Sequence, residues 1–137
     1  MKKIAPDVKL GKDVKIYDFV NLYGCEIGDN TRIEGQAYIS PLSRIGKNVF
    51  IGPAAVLTND PYPMCDKMIG VMIEDGAIIG ARAVIKAGVT VGKNSVVAMG
   101  AIVTRDVPEN SVVMGSPASI RYTREEYDKK QRQWKES

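Results

Sequence analysis

The most regular feature of the chain is an aliphatic residue at every sixth position. The series slips by one residue after Leu22 and has one long gap after Leu57. A period of six fits neither the 3.6-residue repeat of an amphipathic helix nor the two-residue repeat of an ordinary strand. It is typical of short strands that each end in a sharp corner, so that three of them close one coil of about 18 residues. The series comprises Ile4, Leu10, Ile16, Leu22, Ile27, Ile33, Ile39, Ile45, Ile51, Leu57, Ile73, Ile79, Ile85, Val91, Val97 and Val103.

A second series of small or β-branched residues stands four residues after each aliphatic position. We expect the large residue to fill the interior and the small one to share the crowded corner. Glycine often follows the aliphatic residue directly, where we expect the corner to need its backbone freedom. The pattern predicts an all-β parallel β-helix of about six coils, stacked about 4.8 Å apart. The second series is Val8, Val14, Val20, Cys25, Thr31, Ala37, Ser43, Val49, Ala55, Ala77, Ala83, Val89, Ser95, Ala101 and Val107, and the glycines are Gly11, Gly28, Gly46, Gly52, Gly80 and Gly92.

The gap between Leu57 and Ile73 predicts a loop insertion over residues 58–72. Its two prolines near the start favour an extended or turning path that leaves the coil. Loops carried by a rigid scaffold commonly bear function, and this one offers Asn59, Asp60 and Tyr62. The alternative is a solvent-exposed excursion without a role.

The end of the chain predicts a short helix. Thr123 followed by Glu126 matches a capping box, and the helix should run over residues 124–134. Tyr127 and Trp134 would share a face, so the helix either packs between subunits or forms a polar cap or frayed tail. We therefore divide the chain into a solenoid over residues 1–121 and a helical tail over residues 122–137. The exposed strand edges at the N-terminus could be protected by Lys2, Lys3 and Pro6.

Composition narrows the function. One domain is expected for 137 residues, and a net charge of +3 gives no electrostatic case for nucleic acid binding. No apolar run reaches the length of a secretory leader or a membrane span, so we expect neither. Cys25 and Cys65 form no close-spaced pair, and we expect free thiols in a reducing cytoplasm. The chain has no histidine, which excludes a three-histidine zinc site such as that of the γ-class carbonic anhydrases. We expect no bound metal.

Residues 8–122 resemble the hexapeptide-repeat acyltransferases. The ending DVPENSVVMGSPA over residues 106–118 carries part of this likeness. The runs VNLYGC (20–25), IGDN (27–30), NVFIG (48–52) and TNDPYP (58–63) most resemble the N-acetyltransferases that act on nucleotide-linked amino sugars. The resemblance implies a left-handed helix, a homotrimer, and acetyl-CoA bound in the groove between neighbouring subunits. It also implies that Ala81 and Met99 hold the pantetheine arm, with Pro117 and Arg121 near the adenine end.

The implied reaction is attack of a sugar amine on the thioester of acetyl-CoA. A neutral amine is already nucleophilic, so alignment and a destination for the proton matter more than a strong base. Asn59 could orient the amine or the thioester carbonyl, Asp60 could hold a sugar hydroxyl or the ammonium form, and Tyr62 could contact the substrate. The lack of histidine favours transfer to an amine over transfer to a hydroxyl. A non-catalytic hexapeptide-repeat protein, either a degenerate relative or an assembly scaffold, is the alternative.

Overall fold

The computed structural model describes residues 1–137 as a parallel β-solenoid followed by one helix. The first sixteen strands are two residues long, and each corner between them brings the chain onto the next side. Strand β17 and strand β18 are longer. The strands are β1 Lys3–Ile4, β2 Lys9–Leu10, β3 Lys15–Ile16, β4 Asn21–Leu22, β5 Glu26–Ile27, β6 Arg32–Ile33, β7 Tyr38–Ile39, β8 Arg44–Ile45, β9 Phe50–Ile51, β10 Val56–Leu57, β11 Met72–Ile73, β12 Ile78–Ile79, β13 Val84–Ile85, β14 Thr90–Val91, β15 Val96–Val97, β16 Ile102–Val103, β17 Ser111–Gly115 and β18 Ala118–Thr123, and the helix is α1 Arg124–Glu136.

Every strand of the coils pairs in parallel with the strand one turn away, which builds three sheets. Face A contains β1, β4, β7, β10, β13 and β16, so the solenoid has about six turns. Face B contains β2, β5, β8, β11 and β14, and face C contains β3, β6, β9, β12, β15, β17 and β18. The chain passes from A to B to C in each turn, which gives an A–B, a B–C and a C–A corner. These pairings confirm the predicted parallel β-helix of hexapeptide repeats.

The predicted interior is confirmed over most of its length. The aliphatic series from Leu22 to Val103 is buried, and the small-residue series packs beside it in one core cluster. Cys25 fills the small position of the shortened hexad and is buried. The first coil differs, because Ile4 and Leu10 remain 40% and 46% exposed. Their strands β1 and β2 lie at the ends of their sheets, so no coil covers them.

The corner glycines have a different role from the one expected. The left-handed backbone falls two residues later, for example at Asn48 and Arg82, which have φ of 55° and 59°. The glycines themselves are required by close stacking. A Cβ on Gly28 would lie 2.6 Å from the carbonyl carbon of Gly46, and one on Gly80 would lie 2.5 Å from the amide nitrogen of Met99.

Two further features refine the sequence analysis. Strand β11 begins at Met72 and Val71 is already buried, so the inserted segment is one residue shorter than the gap suggested. The antiparallel pairing of β18 with β17, which interrupts the parallel pattern at the end of face C, was not anticipated. The C-terminal helix is confirmed and extends to Glu136. Thr123 is its N-cap, with its side chain accepting a hydrogen bond from the amide of Glu126.

Candidate active site

The inserted loop, residues 58–71, leaves the solenoid at the A–B corner and is tied to the coil at its base. Thr58 Oγ1 donates to the carbonyl oxygen of Ile85 at 3.0 Å and accepts from the amide of Ala87 at 2.9 Å. The amide of Ile69 donates to the carbonyl oxygen of Asn59 at 2.9 Å, which closes the neck of the loop. The loop therefore has a fixed base on which its polar side chains stand.

Asn59 is half-buried in this neck. Its Nδ2 donates to the carbonyl oxygen of Pro41 at 3.2 Å, which fixes the orientation of the amide. The side-chain oxygen Oδ1 is an acceptor that can receive a hydrogen bond from an amine N–H. Asn59 is thus suited to orienting an amine, the first of the two roles considered for it.

Asp60 organises the loop. One carboxylate oxygen accepts from the amide of Tyr62 at 3.3 Å and the other from the amide of Cys65 at 3.1 Å. A carboxylate has about four acceptor positions, so two remain for a ligand. Asp60 therefore has a structural role that the sequence did not reveal.

Tyr62 lies on the outer side of the loop and is 76% exposed. The ammonium nitrogen of Lys86 lies over its ring, 5.5 Å from the centroid. Met64, two residues further along, is also exposed. These side chains are available to a substrate or to another protein surface.

A second site is an apolar groove on face C beside the C–A corner, with a volume of about 390 Å³. Ala81 and Met99 lie together on its rim, and the amide of Gly100 donates to the carbonyl oxygen of Ala81 at 2.8 Å. Their spacing of eighteen residues does place them one coil apart on one side, as expected. Pro53 occupies the equivalent corner of the preceding coil. The groove is lined by Phe50, Pro53, Ile78, Gly80, Ala81, Val96, Val97, Ala98, Met99, Val112, Met114, Tyr122 and Tyr127.

The wall of the groove comes from the end of the chain. Val96 and Val112 occupy outward positions on face C, yet both are buried. Tyr122 of β18 and Tyr127 of α1 line the same groove above them. Sequence reasoning missed both tyrosines because their contact with face C depends on the unanticipated β17–β18 pairing.

Pro117 lies in the turn between β17 and β18, and Arg121 is the fourth residue of β18. Both side chains are exposed, and Arg121 directly precedes Tyr122 of the groove wall. Arg121 is the extra residue of the bulge in the β17–β18 pairing, and its guanidinium lies near Gly115 at the end of β17.

Within one chain the loop and the groove stand apart. Asn59, Asp60 and Tyr62 are on the loop at the A–B corner, whereas Ala81 and Met99 are at the C–A corner. Face A lies between them. A single chain therefore does not unite all the predicted site residues.

Cys25 is not presented as a nucleophile. Burial raises the pKa of Cys25 to about 11, with a smaller contribution from the negative charge of Asp7. Both thiols are free, and Cys65 is half-buried. The structure has no cluster of three or more acidic or cysteine side chains that could share a metal ion. The single helix is too short and too polar to cross a membrane.

Comparison with known proteins points to one family. Residues 70–105 match the family described as hexapeptide repeat of succinyl-transferase. The 2,3,4,5-tetrahydropyridine-2,6-dicarboxylate N-acetyltransferase of Staphylococcus aureus strain JH9 is 52% identical over 75 residues, which is 55% of this chain. The match covers 30% of that relative, so the chain spans under a third of the length of the curated relatives it matches.

Solved structures extend the likeness over most of the solenoid. A hexapeptide-repeat-containing acetyltransferase from Vibrio cholerae is 30% identical with a TM-score of 0.72, covering 84% of this chain and 73% of that one. A structure of the same protein complexed with acetyl coenzyme A is 29% identical with a TM-score of 0.71, covering 85% and 70% of the two chains. A histidine-to-alanine mutant of GDP-perosamine N-acetyl transferase from Caulobacter crescentus, in complex with CoA and GDP-perosamine, is 25% identical with a TM-score of 0.55, covering 88% and 53%. On the strength of its repeat, its fold and these matches, the chain belongs to the hexapeptide-repeat acyltransferase family.

Proposed function

We propose that this protein is an acetyl-CoA-dependent N-acetyltransferase that acts on the amine of a nucleotide-linked amino sugar. The observation that carries the proposal is the apolar groove on face C, with Ala81 and Met99 side by side on its rim. Ligand sites are typically concave, mostly apolar and supplied with a few polar groups. The loop that contains Asn59 supplies polar groups of the kind that amine acylation needs.

The groove fits the pantetheine arm of the coenzyme. Pro53, Ala81 and Met99 occupy successive coils, so an extended ligand lying across the coils can contact all three. The amides and carbonyls of the corners are close to this line, and the floor is apolar. The Vibrio cholerae acetyltransferase, which was solved with acetyl coenzyme A, supports the same ligand here. Pro117 and Arg121 are then suited to the adenine and phosphate end.

The loop supplies the acceptor side. Asn59 Oδ1 accepts a hydrogen bond from the attacking amine and directs its lone pair at the thioester carbon. Asp60, already bonded to two loop amides, uses its remaining acceptor positions for a sugar hydroxyl, and Tyr62 contacts the sugar or its nucleotide. The new amide bond forms as the carbon–sulfur bond breaks, and the departing thiolate of CoA takes the proton that the amine loses. This chemistry needs no histidine, which the chain lacks.

The separation of loop and groove supports a site shared between copies. In a homotrimer, the loop of one copy can reach the groove of its neighbour and unite the two halves. We propose this assembly from the resemblance and from the positions of the two parts. The substrates are those of cytoplasmic metabolism, and the two free cysteines agree with that compartment.

Two observations favour other functions. The Staphylococcus aureus relatives act on tetrahydropyridine dicarboxylate and share 52% identity over 75 residues, so that compound is a competing acceptor. The engagement of Asp60 by two loop amides fits a non-catalytic hexapeptide-repeat protein, in which the loop is only a structural excursion.

A thiol-release screen tests the proposal. Purified protein and acetyl-CoA are combined with GDP-linked and dTDP-linked amino sugars, with tetrahydropyridine dicarboxylate, and with a hydroxyl acceptor such as maltose. We expect release only with a nucleotide-linked amino sugar. Asn59→Ala should lower kcat by roughly a hundredfold, the cost typical of lost alignment. Asp66→Asn, an exposed change in the same loop, should retain the activity.

Three results would contradict the proposal, and each leads to a different conclusion. Release with the dicarboxylate alone would move the protein to that substrate class. CoA binding without release from any acceptor would favour the non-catalytic alternative. A normal rate in Asn59→Ala would remove that residue from the mechanism.

A further inference from the structure

Helix α1 contacts the rest of the chain only through its first two turns. None of its residues is buried. Arg124, Tyr127 and Asp128 are half-buried, and every residue from Lys129 onward is exposed, including Trp134 at 79%. Hydrophobic burial therefore contributes little to the position of this helix. Some other interaction must fix it.

Arg124 provides that interaction. Its Nη1 donates to the carbonyl oxygens of Gly76 and Asn94, both at 3.0 Å, and its Nε donates to Asp128 Oδ1 at 2.8 Å. The amide of Arg124 also donates to the carbonyl oxygen of Asn110 at 2.8 Å. Gly76, Asn94 and Asn110 occupy the B–C corner in successive coils. One guanidinium thus joins two coils to the first turn of the helix, using the planar donor geometry that lysine lacks.

The same side chain contacts the groove wall. The guanidinium carbon of Arg124 lies 5.8 Å from the centroid of the Tyr127 ring, and Tyr127 lines the groove. Further along the helix, the ammonium of Lys130 lies 5.3 Å from the centroid of Tyr122 on strand β18, the other tyrosine of the wall. The ring of Tyr127 is therefore held by the residue that holds the helix.

We propose that Arg124 is a positioning residue for the coenzyme groove, acting through Tyr127. The inference rests on the proposed function, because it assigns the groove to CoA. Arg124 does not line the groove itself. Its hydrogen bonds keep the first turn of α1 against face C, so that Tyr127 closes the side of the groove facing the B–C corner. Loss of the guanidinium lets the helix swing away and opens the wall, while the loop that bears Asn59 is unaffected.

The experiment measures CoA affinity together with the mobility of helix α1. CoA dissociation constants are measured by calorimetry for the unmodified chain, Arg124→Ala, Tyr127→Ala and the double variant. Arg132→Ala, which removes the same charge from an exposed position on the same helix, is the matched control. The anisotropy of Trp134, the single tryptophan, reports the mobility of α1. The solenoid core contains no residue of α1, so these variants are expected to stay folded, which thermal melting verifies.

We expect Arg124→Ala to lower the Trp134 anisotropy and to weaken CoA binding roughly tenfold, as loss of charge-assisted hydrogen bonds can. The KM for acetyl-CoA should rise with kcat unchanged at saturation, and Arg132→Ala should leave both unchanged. Because Arg124 acts through Tyr127, the double variant should bind CoA only slightly more weakly than Tyr127→Ala alone. This role would be overturned if the losses of CoA affinity in the two single variants added up in the double variant, or if Arg124→Ala bound CoA normally. Either result would leave the proposed function unaffected. Absence of CoA binding in the unmodified chain would overturn the proposed function itself.

Discussion

Cys25 is the residue whose chemistry the fold alters most. It takes the small corner position of the shortened hexad, where Val or Ala stands in most other coils, and it is buried. Removal from water disfavours the thiolate, which is why burial raises its pKa to about 11 from an ordinary value of 9.0. The thiol therefore acts as a small apolar group that packs the corner, and it is unsuited to nucleophilic catalysis.

This shift predicts a pH-dependent stability. The folded pKa is above the unfolded one, so the stabilisation is complete below pH 9 and is lost as the pH rises through about 11. The free energy of unfolding of the unmodified protein should therefore fall over this range relative to that of Cys25→Ala, in which no thiol titrates. Denaturant titrations at pH 8, 9, 10 and 11 provide the comparison. A constant difference between the two proteins across the series would refute the shift.

Among the elements, the coils and the C-terminal helix were predictable, whereas the contacts by which the end of the chain folds back onto face C were not. Each coil depends on residues a few positions apart, so the six-residue series from Leu22 to Val103 was sufficient to predict the solenoid. The eighteen-residue spacing also placed Ala81 beside Met99. The β17–β18 pairing and the position of Tyr127 depend on contacts between distant segments, which no local pattern reports. The coenzyme role of Ala81 and Met99 stays a prediction.

The inserted loop is the element that the sequence located but could not describe. Its anchor is Thr58, whose hydroxyl bonds both the carbonyl of Ile85 and the amide of Ala87. Sequence reasoning gave this residue no role, because a hydroxyl bridge to a coil 27 and 29 residues away leaves no local pattern. Asp60 then shapes the tip through two loop amides.

Thr58→Ala should leave the buried amide of Ala87 without a partner. An unsatisfied buried donor costs about 1–3 kcal/mol, so the free energy of unfolding should fall by about that amount. Thr58→Ser keeps the hydroxyl and should lose much less. Chemical denaturation of the three proteins makes the measurement. Equal losses in the alanine and serine variants would show that the hydroxyl is not the anchor.

At the scale of the whole molecule, the three faces differ in their outward side chains. Face B carries Lys9, Glu26 and Arg44, with Glu26 within 3.8 Å of both cations. In the C-terminal coils Val84 and Ile102 project from face A and Ile78 from face C, whereas face B carries Met72 and Thr90 there. Two unlike apolar faces on one chain suit a heterologous interface that closes into a ring.

The homotrimer that the family resemblance implies is one such ring, and it stays a prediction. Light scattering at micromolar concentration should give about three times the 15.0 kDa mass of one chain. Such an assembly would also bring the loop of one copy to the groove of the next. A mass of one chain, independent of concentration, would remove the shared site and with it the proposed union of Asn59 with the groove.

Calorimetric titration with CoA tests whether the coenzyme occupies the groove beside Ala81 and Met99. The unmodified protein should bind CoA with a Kd between about 1 μM and 1 mM, the range in which the KM values of most enzymes fall. Ala81→Glu places bulk and negative charge in the groove and should weaken binding at least roughly tenfold, equivalent to about 1.4 kcal/mol. Ala5→Glu, the same change at a half-buried corner position in the first coil, should bind as the unmodified protein does. No heat at millimolar CoA, or equal affinity in Ala81→Glu, would show that CoA does not occupy this groove.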